Sequence, residues 1–401
     1  MIWRSATLGE LEVESNGVIQ TGPFGSQLHS SDYSVVGTPV VMPTNIRDLQ
    51  ISTVGIARVA DEHVERLSRH KLRAGDIVYS RRGDVEKCAL VAPEEESWLC
   101  GTGCLLVRVA GPHVDARYLA YALSLPKTRD WITSHAVGAT MPNLNTEVLR
   151  EVPLPLPPIE AQRAIAANLG ALDDKIESNR RAVTLIPQLI RARVQASLIE
   201  GSEHVSVSSL ATFVNGGAFT KDASGTGRMV IRIAELNGGP GGTTIYNDIS
   251  VPDDKTARAG DILMSWSGSL GLYRWARDEA IINQHIFKVI PGDLPAWLVF
   301  DRLESAIGTF RAIARDKATT MGHIQRKHLD STLAQVPSTH AVKALDRDLS
   351  GLWKRLLVAE RECLTLAELR DALLPELLAG SIRAPSETAN AAETFHVQAK
   401  A

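Results

Sequence analysis

The chain has few cysteines and no long apolar run. No uninterrupted apolar stretch approaches the roughly 18 residues that a membrane-spanning helix requires, and the sequence after Met1 lacks the apolar core of a signal peptide. The 4 cysteines make no disulfide framework, and Cys88, Cys100 and Cys104 have neither Cys-x-x-Cys spacing nor a suitably spaced histidine. We therefore expect buried cysteines in strands, no metal site, and a reducing cytoplasm around the protein.

Catalytic motifs are also missing. The chain has no Gly-Lys-Ser/Thr phosphate loop, and Gly101-Thr-Gly103 lacks the later glycine of a dinucleotide-binding loop. It has no Asn/Asp-Pro-Pro-Tyr/Phe run of the kind that amino-methyltransferases carry, no Gly-x-Ser-x-Gly elbow and no His-Glu-x-x-His helix. These absences predict a binding protein without a cofactor of its own. The net charge of −3 argues weakly against a purely electrostatic coat on DNA, but it leaves local contacts to DNA open.

What the chain does contain is a tandem duplication with an offset of about 180 residues. An apolar seam with steps that alternate between four and three residues occurs twice in one register, which is coiled-coil spacing. Asn179 fills the gap in the first copy and Ala359 fills it in the second. Asn179 either fixes the register of a helix pair or is a tolerated polar residue in a loosely packed stretch. The seam residues are Ile165, Leu169, Leu172, Ile176, Val183 and Ile186, which recur as Leu345, Leu349, Leu352, Leu356, Cys363 and Leu366.

The duplication predicts two similar halves, each with a head and a long helix. The heads contain short β-like runs between turn residues, and the proline-rich run Val152–Pro158 predicts an extended entry to the first helix. Pro187 should kink or interrupt that helix. Two long helices at matched places can pair and hold the heads at a fixed separation. The predicted segments are a first head at 1–155, a helix at 156–202, a second head at 203–338, a second helix at 339–383 and a disordered tail at 384–401.

This order of heads and helices resembles the specificity subunit of type I restriction–modification systems. The most telling runs are Pro153-Leu-Pro-Leu-Pro-Pro-Ile-Glu-Ala-Gln-Arg163 and, in the second helix, Thr365-Leu-Ala-Glu-Leu-Arg-Asp-Ala-Leu-Leu-Pro-Glu-Leu-Leu-Ala-Gly380. Within the first head, residues 74–80 and 98–104 also look like target-recognition sequence. The second helix start, Thr339-His-Ala-Val-Lys343, departs from the first copy. The resemblance covers residues 1 to about 383.

The resemblance implies an α+β protein with two mixed α/β target-recognition domains in tandem, each followed by a long helix, and the two helices pairing as an antiparallel coiled coil. It also implies a non-catalytic subunit whose heads each read one part of a split double-stranded DNA target. The helices would dock two modification subunits, which methylate adenine with S-adenosylmethionine, and restriction (motor-nuclease) subunits would join the complex. The competing hypotheses are a self-contained methyltransferase–nuclease and a coiled-coil scaffold that binds only proteins.

Two matched places in the heads carry candidate DNA-contacting side chains. The run Arg-Ala-Gly-Asp-Ile recurs at 73–77 and 258–262. It precedes Ser80-Arg-Arg-Gly83 in the first head and Ser265-Trp-Ser-Gly268 in the second, so the frame is kept while the middle residues change. Arginine here could pair with guanine or hold a phosphate. Trp266 could stack at the backbone or belong to the core.

The second matched place lies just before each long helix. Hydroxyl and amide side chains there could bond bases or phosphates, although Asn143 to Thr146 could instead make a turn and a helix N-cap. The loop Gln20–Gln27 could approach a phosphate or be a structural turn, and two basic stretches, 66–87 and 305–328, could be solvated faces. The candidate DNA-binding residues are Arg81, Arg82, Lys87, Lys71, Thr140, Asn143, Asn145, Trp266, Ser267, Arg311, Thr320, His323, Gln325 and Arg326.

Overall fold

The computed structural model describes residues 3–109, 111–138, 141–316 and 322–384. It divides into two compact units, one made of residues 1–174 with 367–401 and the other of residues 175–366. Each unit therefore combines one head with stretches of both long helices, so the units cut across the sequential order of the duplication. Among the described residues, no helix combines the length and the apolar character needed to cross a bilayer. Most of the predicted tail, 385–401, lies outside the described residues.

The first head begins with a short strand and a capped helix, and the first long helix follows this head. Its helices are α1 (Leu8–Glu14), α2 (Asp61–Arg66), α3 (Ala116–Ser124), α4 (Pro126–His135) and α5 (Thr146–Arg150), and the long α6 (Ile159–Glu200) follows. Its strands are β1 (Arg4–Thr7), β2 (Val18–Thr21), β3 (Tyr33–Ser34), β4 (Thr38–Val41), β5 (Ile46–Arg47), β6 (Gln50–Ile51), β7 (Ala57–Val59), β8 (Ile77–Ser80), β9 (Cys88–Leu90), β10 (Leu99–Cys100), β11 (Cys104–Arg108) and β12 (Pro153–Leu156).

An antiparallel sheet of strand order β2–β11–β8–β9 forms the centre of the first head. All of β8 is buried because it lies between two neighbouring strands, and its residues Ile77 to Tyr79 are apolar or aromatic. A second sheet has the order β10–β4–β7–β3. The proline-rich entry run becomes β12, which pairs with β1 alone. Pro153 and Pro155 are tolerated there since an edge strand does not need every backbone N–H.

The second head repeats this layout and ends in the second long helix. Its helices are α7 (Ile233–Gly238), α8 (Ala296–Asp316) and α9 (Arg326–Ser331), and the long α10 (Thr339–Ala379) follows. Its strands are β13 (Ser202–Ser206), β14 (Ala211–Asn215), β15 (Arg228–Ile231), β16 (Tyr246–Asn247), β17 (Thr256–Ala257), β18 (Ile262–Ser265), β19 (Gly271–Arg274), β20 (Ala280–Ile282), β21 (Ile286–Pro291) and β22 (Leu333–Pro337).

The duplication extends to strand order. The central antiparallel sheet of the second head is β14–β21–β18–β19, and β13 pairs with β22 as β1 pairs with β12. The buried strand β18 therefore occupies the place of β8. One difference has a local cause. Pro126 begins α4 just after α3 ends, whereas α8 runs on through Ala306 at the corresponding position, because alanine continues a helix and proline interrupts it.

The long helices run antiparallel within each unit. In the second unit, Cys363 Sγ lies 3.6 Å from the Ile176 carbonyl, and Arg193 bonds Asp348 at 3.2 Å, so later residues of α6 meet earlier residues of α10. In the first unit, Arg370 bonds Asp173 at 2.8 Å. The apolar seam residues are buried or half-buried. This architecture confirms the predicted fold class. The predicted interruption at Pro187 is absent, since α6 is continuous through it.

Candidate nucleic-acid interface

Two loops meet in the first head at the end of β8. We call residues 80–83 the strand-end loop and residues 141–145 the pre-helix loop of this head. The Arg81 carbonyl accepts a hydrogen bond from Leu144 N at 2.9 Å, and Gly83 N donates to the Pro142 carbonyl at 3.2 Å. The two segments that carry most of the candidate residues of this head are therefore held side by side, although about 60 residues separate them in sequence.

The second head joins the same two segments in the same way. Its strand-end loop is 265–268 and its pre-helix loop is 322–325. The Trp266 carbonyl accepts from Ile324 N at 2.9 Å, and Gly268 N donates to the Gly322 carbonyl at 3.0 Å. Both loops end in a glycine with positive φ, +78° at Gly83 and +62° at Gly268. Only glycine adopts this conformation freely, so the backbone frame is fixed while the middle residues can change.

The strand-end loop of the first head is basic. Arg82 is exposed and Arg81 is half-buried, with its guanidinium carbon 5.7 Å from the centre of the Phe24 ring. The Nε atom of Arg81 has no hydrogen-bond partner in the described part of the chain. Lys87 lies beside this loop because its carbonyl accepts from Ser80 N at 2.9 Å, and its ammonium pairs with Asp84. The loop therefore offers cationic donors suited to phosphate or guanine.

The strand-end loop of the second head is mainly aromatic. Trp266 is half-buried and packs against His285 and Phe287, with ring centres 5.3 and 6.0 Å away. Its indole Nε1 has no hydrogen-bond partner within the described residues. Ser267 is only 8% exposed. The packing and the buried Nε1 favour the core alternative raised for Trp266.

The pre-helix loops differ in how their polar side chains are used. The Asn145 amide oxygen accepts from Val148 N at 2.7 Å, so this side chain caps α5. Asn143 pairs through its backbone with Val137, and its side-chain oxygen is buried without a partner among the described residues. In the second head, the backbone N–H of Gln325 donates to the ring of His328 at 2.9 Å, and the side chains of His323 and Gln325 are exposed.

The remaining candidate cations differ in their distance from the strand-end loops. Arg311 Nε donates to the Leu270 carbonyl at 3.0 Å, just beyond the strand-end loop, and Arg326 donates to the Phe213 carbonyl at 2.8 Å; both residues stay exposed. Lys71 lies at the opposite end of the central sheet, where its carbonyl accepts from Arg108 at 3.0 Å. The structure therefore does not bring Lys71 to the strand-end loop. Thr140 and Thr320 lie outside the described residues.

A third loop in each head begins at the end of the central sheet. In the first head it falls within Gln20–Gln27, which the sequence left open as a phosphate contact or a structural turn, and its counterpart in the second head was not predicted. We call residues 21–27 and 216–219 the entry loops, because each follows the first strand of its central sheet. Gly22 N donates to the Cys104 carbonyl at 2.9 Å, and Gly216 N donates to the Ile286 carbonyl at 3.0 Å. A Cβ at either glycine would come within 2.2 Å of a backbone oxygen. The signal in the sequence was the shared glycine with a phenylalanine two or three residues later.

Each entry loop carries a phenylalanine next to a cation. Phe24 is 50% exposed and lies under Arg81. Phe219 is half-buried, and Lys255 Nζ lies 6.0 Å from its ring centre. Aromatic faces flanked by cations can stack on bases or line the sugar–phosphate backbone. The two phenylalanines therefore differ in their neighbours, because Phe24 lies beside the strand-end loop of its head, whereas Phe219 lies beside Lys255.

Three of the cysteines are buried in strands, as the sequence predicts. Cys88, Cys100 and Cys104 lie buried in β9, β10 and β11. Burial raises the pKa of the Cys88 thiol to about 11 and that of Cys100 to about 12. Within the described residues, no group of histidine, cysteine, aspartate and glutamate side chains could hold a metal ion.

Comparison with known proteins agrees with this geometry. Residues 23–186 match the family model for the type I restriction modification DNA specificity domain. The MjaX type I restriction enzyme specificity subunit of Methanocaldococcus jannaschii is 26% identical over 178 residues, which are 43% of this chain and 41% of that subunit. The MjaVIII specificity subunit of the same organism is 22% identical over 148 residues, 34% of this chain and 35% of that subunit. The aligned regions thus span less than half of these relatives.

A solved structure has the same fold over nearly the whole chain. The type I restriction-modification system S subunit from M. genitalium superposes with a TM-score of 0.63 at 14% identity, covering 94% of this chain and 96% of that one. At this identity the likeness concerns the fold. Residues 23–186 therefore match the type I restriction modification DNA specificity domain, and the chain shares the fold of a solved type I S subunit.

Proposed function

We propose that this chain recognises a bipartite double-stranded DNA target and directs adenine methylation, and restriction, by partner subunits. Each head would read one half-site through its strand-end, pre-helix and entry loops. The observation that carries the proposal is the identical backbone pairing of these loops in both heads, with Arg81 and Arg82 at the place of Trp266 and Ser267. A conserved frame with exchanged side chains suits two different base sequences read by one geometry.

The partners follow from the same proposal. Two modification subunits, one for each half of the duplicated chain, would bring S-adenosylmethionine and the methyl-transfer chemistry, and restriction subunits would bring the motor and nuclease. This chain would contribute binding and orientation only, and it would act in the cytoplasm where the DNA lies.

The experiment is to co-express this chain with its modification subunit and to map methylated adenines by single-molecule sequencing. A split, asymmetric motif with one fixed gap is the expected result. If the modification subunit methylates DNA beside another specificity chain but gives no methylation with this one, the proposal is wrong, and a coiled-coil scaffold without DNA readout becomes the better hypothesis. A catalytically inactive modification subunit is the matched control.

A further inference from the structure

One polar side chain is fully buried at the centre of the helix pair. Asn179 is 0% exposed and lies at the midpoint of α6. Ala359, the residue that the duplication matches to it, lies at the midpoint of α10 and is also 0% exposed. The surrounding seam positions are apolar, which makes Asn179 the exception in an otherwise hydrophobic contact.

Both ends of the Asn179 amide are bonded across the helix pair. Its Nδ2 donates to Glu362 Oε2 at 2.8 Å, and its Oδ1 accepts from Arg355 Nη2 at 2.8 Å. Lys175 Nζ lies 3.2 Å from the same carboxylate. We call Lys175, Asn179, Arg355 and Glu362 the central polar cluster. The bonds from Asn179 and Lys175 hold the pKa of Glu362 below its ordinary value.

The cluster distinguishes one register from its neighbours. Arg355 and Glu362 stand four residues before and three residues after Ala359, so they bracket the place that Asn179 occupies. A slip of one helical turn would bury the amide among leucines without partners. A buried polar group that loses its hydrogen-bond partners destabilises the folded state. The apolar seam alone discriminates poorly between registers of α6 against α10. Its steps of three and four residues repeat along both helices, so a leucine shifted by one turn meets another apolar residue.

We propose that Asn179, held between Arg355 and Glu362, fixes the register of α6 against α10 and thereby keeps the gap between the two half-sites at a single length. The register part stands on the contacts within the second unit. The gap part rests on the proposed function. Because the matched position is Ala359, only α6 contributes a polar side chain at the centre of the seam. The helix α10 contributes the two hydrogen-bond partners of that side chain.

The first test measures register without DNA. Spin labels are placed at the exposed positions Gln188 and Thr365 in a Cys363→Ser background, and their separation is measured by double electron–electron resonance. The full chain should give one narrow distance. With Asn179→Leu the chain should stay folded, since leucine suits the seam, but a second distance displaced by about 5 Å, one helical turn, should appear.

Two further variants control the comparison. Asn168→Leu removes an amide that bonds the Ala164 carbonyl of its own helix at 2.8 Å, and it should leave one distance. Glu362→Gln keeps an oxygen that can accept from Asn179 and should also leave one distance. A single unshifted distance with Asn179→Leu overturns the proposal.

The second test maps methylation with the same variants. Asn179→Leu should spread methylation over targets with more than one gap length while both half-sequences stay unchanged. A loosened register with one unchanged gap overturns the link to gap length. If the wild-type chain itself yields no split motif, the proposed function has failed, and the resonance measurement still decides whether Asn179 sets the register.

Discussion

The two heads share a backbone and differ in the chemistry that the backbone presents. In the first, the strand-end loop carries Arg81 and Arg82; in the second, the same loop carries Trp266 and Ser267, and the tryptophan is packed against His285 and Phe287. The hydrogen bonds that join this loop to the pre-helix loop are equivalent in both heads. The frame is thus determined by backbone groups, which do not depend on the side chains, so the two loops can diverge without loss of the fold.

The largest expected effect comes from removing the arginines that distinguish the first head. Arg81→Ala with Arg82→Ala should slow methylation at the wild-type target at least about tenfold, since a bidentate contact to a base contributes about 1–3 kcal/mol. Sequencing of methylated sites should show a relaxed half-sequence on one side of the gap. Arg73→Ala is the matched control, because Arg73 is exposed but precedes β8 at its other end. Equal relaxation of both half-sequences would assign these arginines to a general phosphate contact.

Acid should remove a stabilising contribution of His70 from the first head, while Glu95, whose pKa burial raises to about 7, contributes in the opposite direction. His70 is 0% exposed, and burial lowers its pKa to about 4, with nearby Arg69 acting in the same direction. The folded state therefore favours the neutral ring. Its contribution to the free energy of unfolding is complete above pH 6.5 and is lost progressively as the pH falls towards 4. The second head has Lys255 at the matching place, 185 residues on.

Between pH 7 and pH 4 we expect His70 to account for roughly 2–3 kcal/mol of lost stability in the first head. Native-state hydrogen exchange, read separately in β8 and in β18, measures it. His70→Gln, which keeps an acceptor for the Arg69 N–H, should remove this pH dependence. If His70→Gln leaves the pH dependence of protection in β8 unchanged from that of the wild-type chain, the assignment to His70 is wrong.

The entry-loop phenylalanines should matter alike in both heads. Phe24→Ala should weaken binding to DNA that carries the half-site of the first head by about 5–30-fold, because loss of one aromatic stack costs on the order of 1–2 kcal/mol. Phe219→Ala should do the same for the other half-site. Binding is measured with the methyltransferase complex on targets altered in one half at a time. Val35→Ala is the control, since Val35 is 94% exposed on the first head. Val137→Ala would be a poorer control, because Val137 is less exposed. An unchanged affinity with both phenylalanine variants would restrict the entry loops to a structural role.

The smallest expected effect is a difference in stability between substitutions in the two pre-helix loops. Asn145→Ala removes the cap of α5 and should destabilise the first unit by about 1 kcal/mol without altering the methylated sequence. Asn145→Asp should keep the cap. Gln325→Ala, at the start of α9, should have less effect on stability, since the Gln325 bond to His328 uses the backbone N–H. Urea unfolding of the full chain measures the difference. An altered half-sequence with Asn145→Ala would restore the base-contact hypothesis for this side chain.

The sequence alone determined the features that depend on local pattern. The heptad steps predicted two long helices, and the structure has them as Ile159–Glu200 and Thr339–Ala379. The repeated Arg-Ala-Gly-Asp-Ile run predicted matching strands, and β8 and β18 occupy the same place in their sheets. Such patterns are readable because periodicity and turn residues act over a few neighbouring positions.

Only the tertiary structure decided which distant segments meet. It set Phe24 against Arg81 and placed Lys71 at the other end of its sheet. For Asn145 it decided between two alternatives that the sequence had left open, because the side chain caps α5. It also packed the end of α10, through Leu374 and Leu377, into the core of the first head. No local spacing specifies that Phe24 meets Arg81, 57 positions away, or that the end of α10 meets the first head, more than 200 positions away, because these contacts depend on which buried surfaces fit together.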